Sequence, residues 1–218
     1  MYSKQFIIFR YSRDVSWVKE YSDNILIYNT GTPLKYDYTI LNVENFGNCS
    51  NQKYMYKYIT DCYINNSLPN CMVFLQDHPF DHCKKEILNK LILNDYFTPL
   101  EYYGSTPANG WERRTENGGF LEINNNWYIS ENNKLHKVIC KYKSFDEFMN
   151  HYFSNYTHLD WLRFAPGCQY VVPKANIQQY PLEFWRQLMN EINVFGATEA
   201  EVMTRALLYI LRGDYKLR

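Results

Sequence analysis

CMVFLQDHPFDH, residues 71–82, is the stretch that decides the fold. Its first five residues form the most apolar run of the chain, and such a run is typical of a strand buried on both faces of a parallel sheet. Polar side chains follow at once, and Pro79 stands where the first turn of a helix accepts proline. The stretch therefore predicts one strand-and-helix unit of an α/β sheet.

The segments before this stretch repeat the same alternation. Residues 5–9, 24–28 and 38–43 are predicted strands, whereas residues 14–21 and 50–65 carry apolar side chains at helical spacing. Because strands alternate with helices up to about residue 95, we expect an open, mostly parallel sheet with helices on its faces.

The second half of the chain is less regular. Residues 96–143 contain several turn signals and two short apolar segments, 119–123 and 126–129, which predict a loop-rich insert with a β-hairpin. Residues 169–172 predict a late strand, and residues 181–192 predict a helix that begins with proline. Two capping-box patterns predict the starts of further helices: Ser144 with Glu147, and Thr198 with Glu201. No repeat or linker divides the chain, so we expect all 218 residues to form a single domain.

The charge of the chain is balanced. Lys and Arg total 23 residues, Asp and Glu also total 23, and the formal net charge is zero. Proteins that bind nucleic acid passively usually carry a basic excess, because contacts to phosphates dominate their affinity. The composition therefore disfavours that class of protein.

Several features bear on where the protein is found. No apolar run approaches the roughly 20 residues that a helix needs to cross a bilayer, and residues 1–10 lack the apolar core of a signal peptide. The six cysteines form no CxxC pair, so we expect reduced and mostly buried thiols. Together these features predict a cytoplasmic protein without a membrane partner, in the host cytoplasm if the protein is viral.

Five polar side chains directly follow the apolar run: Gln76, Asp77, His78, Asp81 and His82. In open α/β sheets, ligands bind beyond the carboxyl ends of the strands. Asp77 and His78 there could hold a divalent ion such as Mg²⁺ or Mn²⁺, which would neutralise a bound diphosphate. The alternative is that Asp77 or Asp81 caps the following helix, with the histidines as ordinary polar side chains.

Two other strand ends should emerge at the same edge of the sheet. Arg10 and Tyr11 follow the first predicted strand, and Tyr28 and Asn29 end the second. An aromatic ring can stack on a nucleobase, an amide can bind the edge of the base, and an arginine can neutralise a phosphate. We therefore predict a nucleotide site at this edge. The alternative is two ordinary turns between strands and helices.

Four segments, taken in order, resemble those of an uncharacterised glycosyltransferase-like family: FRYSRDVSWV, ILIYNTG, LPNCMVFLQDHPFDH and GCQYVVPKANI. Members of that family open with a strand followed by Arg-Tyr and Asp-x-x-Trp, continue with Ile-Tyr-Asn and Gly, and carry Phe-Leu-Gln before Pro and His. The resemblance implies a fold similar to the GT-A-like nucleotide-sugar transferases, in which an acidic cluster after a strand faces metal and diphosphate. That cluster corresponds to Gln76, Asp77 and His78.

The chain departs from this family at two positions. Gln76-Asp77-His78 stands in place of Asp-x-Asp, and Thr204-Arg205 stands where the family places Glu-Arg in its final helix. From that helix, the resemblance therefore assigns a role to Arg205 alone.

Residues and resemblance together predict a glycosyltransferase that moves a sugar from a UDP-type donor to a hydroxyl acceptor. The predicted nucleotide-sugar-binding residues are Arg10, Tyr11, Tyr28, Asn29 and Gln76. The predicted catalytic residues are Asp77, His78, Asp81, His82 and Arg205, with Mn²⁺ or Mg²⁺ as a candidate cofactor bound by Asp77 and His78.

The acceptor and the class of protein stay open at this point. The acceptor is either a glycan or metabolite, or a hydroxymethylated base in viral DNA. A catalytically inactive sugar- or nucleotide-binding module would also lack Asp-x-Asp, and the histidines are compatible with an unrelated hydrolase or nuclease.

Overall fold

The computed structural model describes residues 4–47, 50–101, 110–113, 141–142, 144–195 and 197–218, and for residues 111–113, 193–195 and 197–201 it describes the backbone alone. The strands are β1 (Lys4–Arg10), β2 (Ile25–Asn29), β3 (Thr39–Asn42), β4 (Cys71–Gln76), β5 (Thr98–Pro99), β6 (Trp111–Arg113), β7 (Trp161–Arg163) and β8 (Tyr170–Pro173). The α-helices are α1 (Ser50–Ile64), α2 (Lys85–Leu91), α3 (Phe145–Tyr152), α4 (Lys174–Gln178), α5 (Leu182–Phe195) and α6 (Ala197–Arg212).

Within the described residues, six strands form one mixed sheet in the order β3-β2-β1-β4-β8-β5. β1 pairs in parallel with β2 and β4, and β2 pairs in parallel with β3. β8 runs antiparallel to both of its neighbours, β4 and β5. The predicted α/β sheet is thus confirmed, and its parallel part extends from β3 to β4. The reversed direction of β8 is a feature that the local sequence pattern does not encode.

Both faces of the sheet are buried, which explains why its central strands are continuous apolar runs. Because alternate residues of a strand point to opposite faces, Ile7 and Phe74 lie in one apolar cluster with α1, α5 and α6. Ile8 and Val73 lie in a second cluster with α2. All four side chains are completely buried. The carboxyl ends of β1 and β4 are therefore held in a packed core.

Two helix starts can be compared directly with the capping-box predictions. The hydroxyl of Ser144 accepts a hydrogen bond from the backbone N–H of Glu147 at 3.0 Å, which confirms the predicted Ser144 cap at the start of α3. α6 already begins at Ala197, so Thr198 lies inside that helix instead of capping it. The side chains of Thr198 and Glu201 lie outside the described residues.

One predicted helix, residues 14–21, is instead the 3₁₀ turn Ser16–Glu20. The helix predicted after Pro79 is found as α2, but it begins only at Lys85, and Pro79 opens a separate 3₁₀ turn, Pro79–Asp81. Neither turn has a side-chain cap at its start. Such short segments favour the tighter 3₁₀ geometry, which is used mainly in pieces of a few residues.

The predicted insert, residues 96–143, is described only in part. The two segments of its predicted hairpin, 119–123 and 126–129, lie outside the described residues. In the described part, β6 pairs antiparallel with β7, which comes much later in the chain, and Trp111 stands opposite Arg163. This pair of strands is separate from the central sheet.

Four cysteines can be compared with the prediction of unpaired thiols. Cys62, Cys71, Cys83 and Cys168 are free, and all except Cys62 are buried. The prediction is confirmed for these four, while Cys49 and Cys140 lie outside the described residues. Burial raises the pKa of the Cys83 thiol to about 11, so this thiol is protonated at neutral pH.

None of the described helices is both long enough and apolar enough to cross a bilayer.

Candidate functional site

The order of the strands reverses between β1 and β4. From β1 the chain continues to β2 and β3 on one side, and it then returns to β4 on the other side of β1. In open α/β sheets, ligands bind at such a switch point, beyond the carboxyl ends of the strands. A cavity of about 520 Å³ lies at this position. Its volume is within the range of roughly 300–1,000 Å³ that is typical of small-molecule sites.

The ends of three strands form one side of the cavity. Phe9 stands opposite both Tyr28 and Gln76 in the parallel ladder, so β1, β2 and β4 end at the same level. All three side chains line the cavity, together with Arg10 and Tyr11. Of the ten predicted site residues, these strand ends bring together Arg10, Tyr11, Tyr28 and Gln76.

The first turn of α1 forms a second side. Ser50, Asn51 and Gln52 line the cavity there. Asn51 donates a side-chain hydrogen bond to the backbone oxygen of Gly167 at 3.4 Å, which connects this turn to the loop before β8. Backbone N–H groups at a helix N-terminus attract anions, so the start of α1 adds to the positive potential of this side.

The loop before β8 and helix α6 form the third side. Phe164 and Gly167 line it from the loop, and Thr204 and Arg205 line it from α6. Arg205 is 6% exposed, and its guanidinium lies 4.4 Å from the centre of the Phe164 ring. Gln52 donates a hydrogen bond to the hydroxyl of Thr204, which ties α6 to the start of α1.

The guanidinium of Arg10 is 6% exposed and bonds only to neutral oxygens. Its Nε donates to the backbone oxygen of Arg13 at 2.9 Å, and its Nη1 donates to Asn29 Oδ1 at 2.6 Å and to the backbone oxygen of Thr32 at 2.8 Å. A longer bond of 3.4 Å runs from Nη2 to the backbone oxygen of Ser12. Among the described residues, no carboxylate forms an ion pair with Arg10, so its charge is uncompensated.

Asn29 supports this arrangement from outside the cavity lining. Its side-chain nitrogen donates to Asn42 Oδ1 at 2.8 Å and to the backbone oxygen of Thr32 at 3.0 Å. Its oxygen accepts from Arg10 and, at 3.3 Å, from the backbone N–H of Gly31. Both ends of the Asn29 amide are thus occupied by the protein itself.

Asp77 also binds the protein itself. Its Oδ2 accepts hydrogen bonds from three consecutive backbone N–H groups, those of Tyr11 at 3.0 Å, Ser12 at 2.9 Å and Arg13 at 2.8 Å. The backbone oxygen of Asp77 accepts a fourth bond, from the indole N–H of Trp17 at 3.0 Å. Successive N–H groups of this kind form a concave anion site, and here the bound anion is a carboxylate of the same chain.

The two predicted histidines have different positions. His78 is 2.9 Å from Asp81 through its Nδ1, and neither residue lines the cavity. His82 does line it. Of the four ionisable residues of this segment, Asp77, His78, Asp81 and His82, it is His82 that lines the cavity.

The predicted metal site does not fit the described side chains. Oδ2 of Asp77 is occupied by three N–H donors, and Nδ1 of His78 faces Asp81. Among the described residues, no group of three or more His, Cys, Asp or Glu side chains is arranged to hold a metal ion.

Two tyrosines present polar and aromatic surface to the cavity. Tyr11 is 62% exposed, while Tyr28 is 2% exposed and stacks on Tyr54 at 5.2 Å between ring centres. Burial is the main cause that raises the pKa of Tyr28, so its hydroxyl stays protonated at neutral pH.

The fold and the cavity together define the class of this protein. It is an α/β protein with an aromatic and cationic cavity at the switch point of a mixed sheet. No family model, no curated protein and no solved structure matches the chain.

Proposed function

We propose that this protein binds a UDP-type nucleotide-sugar in the cavity and transfers the sugar to a hydroxyl acceptor. The observation that carries this proposal is the charge of the cavity lining. Two buried arginines, Arg10 and Arg205, line it, and no carboxylate does so among the described residues. A cavity of this charge selects an anionic ligand, and a nucleoside diphosphate sugar is anionic at its centre.

Aromatic and amide groups in the same cavity suit the remaining parts of such a donor. The exposed ring of Tyr11 offers a face on which a base or a sugar can stack. The amide of Gln76, which lines the cavity, supplies a hydrogen-bonding group. The resemblance to GT-A-like transferases in sequence, and the open α/β sheet itself, support the same assignment.

The proposed reaction needs one base. The acceptor oxygen forms a bond to the anomeric carbon, the bond between that carbon and the diphosphate oxygen breaks, and its electron pair leaves with the diphosphate. The acceptor proton passes to the imidazole of His82, the one side chain in the described lining that is suited to take a proton near neutral pH. Arg10 and Arg205 stabilise the charge of the leaving group.

A thermal-shift screen against nucleosides, nucleotides and nucleotide-sugars tests the binding part of this proposal. We expect UDP or one UDP-sugar to raise the melting temperature, because a ligand at 100 times its Kd stabilises the folded state by about 2.7 kcal/mol. If no nucleotide shifts the melting temperature or binds by calorimetry, the proposal fails.

Turnover is tested by the release of UDP in the presence of candidate acceptors. We expect His82→Gln to lower kcat by about 10²- to 10⁴-fold, the usual contribution of a general base, with little change in the Kd for UDP. His78→Gln is the matched control, because His78 lies in the same segment but outside the cavity lining. An equal loss of kcat in both variants would mean that His82 is not the base.

A binding module without catalytic activity is the second candidate. The observation that favours it is the absence of a carboxylate from the described part of the cavity lining, since many transferases use one as base. Such a module binds a UDP-sugar in the same screen but transfers the sugar neither to an acceptor nor to water, so no UDP is released.

A further inference from the structure

We infer that the cavity holds the diphosphate of its ligand through Arg10 and Arg205, without a divalent cation. This inference rests on the proposed function, because it assigns the charged part of the proposed donor to named side chains.

The first step is the uncompensated charge of Arg10. Four of its five N–H groups bond to neutral oxygens, of which the nearest is Asn29 Oδ1 at 2.6 Å, and no described residue uses the fifth. A buried charge is costly unless an opposite charge accompanies it. An anion in the cavity supplies that opposite charge, and the remaining N–H on Nη2 supplies a direct donor.

The second step is the position of Arg205. It reaches the same cavity from α6, at the far end of the sequence from Arg10, and Phe164 packs against its guanidinium. An arginine held against an aromatic ring keeps its charge and a fixed orientation, which suits it to bind phosphate oxygens. The cavity thus offers two separate cations to an anion with two phosphoryl groups.

The third step concerns the side chains that a metal would need. Mg²⁺ is bound by carboxylate oxygens, yet the described lining contains none. The candidate ligand Asp77 lies outside that lining, and its Oδ2 accepts hydrogen bonds from three backbone N–H groups. Two arginines in the described lining would also repel a divalent cation. The arginines therefore take the place that a metal has in Asp-x-Asp transferases.

The experiment measures the Kd of UDP and of inorganic pyrophosphate by calorimetry, with the wild-type protein in EDTA and then in Mg²⁺ or Mn²⁺. We expect UDP and pyrophosphate to bind in EDTA, and the metal ions to leave the Kd of UDP unchanged. Uridine, which carries no phosphate, serves as the uncharged probe.

Variants then locate the subsite. We expect Arg10→Gln and Arg205→Gln each to weaken UDP binding by about 10- to 100-fold, the usual loss for a hydrogen bond to a charged group, while uridine binding is unchanged. Arg13→Gln is the matched control, since Arg13 is exposed and lies outside the cavity lining. If Arg10→Gln does not fold, the comparison of EDTA with metal in the wild-type protein still decides the question.

The outcomes separate the two proposals. Binding of UDP only in the presence of Mg²⁺ or Mn²⁺ overturns the metal-free subsite and leaves the transferase proposal standing. Binding of pyrophosphate in EDTA without any binding of UDP supports the anion subsite and overturns the nucleotide-sugar assignment. Equal weakening of uridine and UDP by Arg10→Gln overturns the role of Arg10 as a phosphate ligand.

Discussion

The carboxylate of Asp77 is bound by three N–H groups of the loop that carries Tyr11. Arg10 holds the same loop from its other side, since its guanidinium bonds to the backbone oxygens of Ser12 and Arg13. The backbone N–H groups of the loop thus bond to the carboxylate of Asp77, and its backbone oxygens bond to the guanidinium of Arg10. At the scale of single residues, this pair of contacts fixes the backbone of the loop from Tyr11 to Arg13.

We expect Asp77→Asn to weaken nucleotide binding through Tyr11. All three N–H groups bond to the one oxygen Oδ2, and the neutral amide oxygen that replaces it in Asn accepts weaker hydrogen bonds than a charged carboxylate oxygen. When the loop is held less firmly, the Tyr11 ring is positioned less well for stacking and contributes less to the affinity for the nucleotide. Tyr11→Ala should therefore cost less affinity in the Asp77→Asn background, with a coupling free energy of about 0.5–3 kcal/mol.

A double-mutant cycle on the Kd of UDP measures this coupling. Asp81→Asn is the control, because Asp81 lies in the same segment and contacts His78 instead of the loop. Strictly additive losses for Asp77→Asn and Tyr11→Ala would mean that Asp77 acts on the ligand directly, as the metal-site hypothesis requires.

At the scale of elements, the turn before β8 depends on a close approach between backbone and side chain. Gly167 has a φ of +72°, and a Cβ added there would lie 2.5 Å from Oε1 of Gln76. Gly47 has a similar φ of +64°, but no atom of the described residues lies within 4 Å of a Cβ added there. Both glycines therefore have a left-handed φ that a residue with a Cβ adopts only with strain. They differ in the contact between the added Cβ and Gln76, which arises at Gly167.

We expect Gly167→Ala to lower the free energy of unfolding by more than Gly47→Ala. A left-handed backbone conformation costs a residue with a Cβ about 1–3 kcal/mol, and this cost applies to both variants. The clash with Gln76 applies to Gly167→Ala alone. Urea denaturation of both variants measures the difference, and equal losses would show that Gln76 moves away freely.

Local patterns predict the elements that a single segment determines. The strands β1, β2 and β4 and the helix α1 are found where the apolar runs and the helical spacing place them, because burial on both faces leaves a direct trace in the sequence. The direction of β8 and the pairing of β6 with β7 leave no such trace. They depend on contacts between segments far apart in the chain.

The residues of the candidate site likewise fall into those that local patterns predict and those that they do not. Arg10, Tyr11 and Gln76 are predictable, since residues at the ends of parallel strands meet at one edge. Asn51 and Phe164 are missed, because only the folded chain brings α1 and the loop before β8 to that edge. Asp77 and Asn29 are placed at the right edge, but the pattern does not show that their polar atoms bind the protein's own loops.

At the scale of the whole molecule, the described surface mixes charges of both signs. Lys57 lies 2.8 Å from Asp61, and Lys85 lies 3.3 Å from Glu20 beside the start of α2. Such exposed pairs contribute little to stability. The acidic partners do, however, interrupt the positive surface potential that binding to a DNA phosphate backbone would need. The formal net charge of the chain is zero, which has the same effect overall.

This balance bears on the acceptor, and we expect the protein to bind duplex DNA no more tightly than a Kd of about 10⁻⁴ M at physiological salt, the weak end of non-specific binding. The cavity arginines are buried, so they add little to an external track for phosphates. Fluorescence anisotropy with a labelled duplex at about 50 mM and 200 mM salt measures the affinity and its salt dependence. Weak binding at both concentrations supports a glycan or metabolite as the acceptor. Tight binding that falls steeply with salt would instead require several lysines and arginines to contact phosphates together, and it would make a hydroxymethylated base in DNA the acceptor to test.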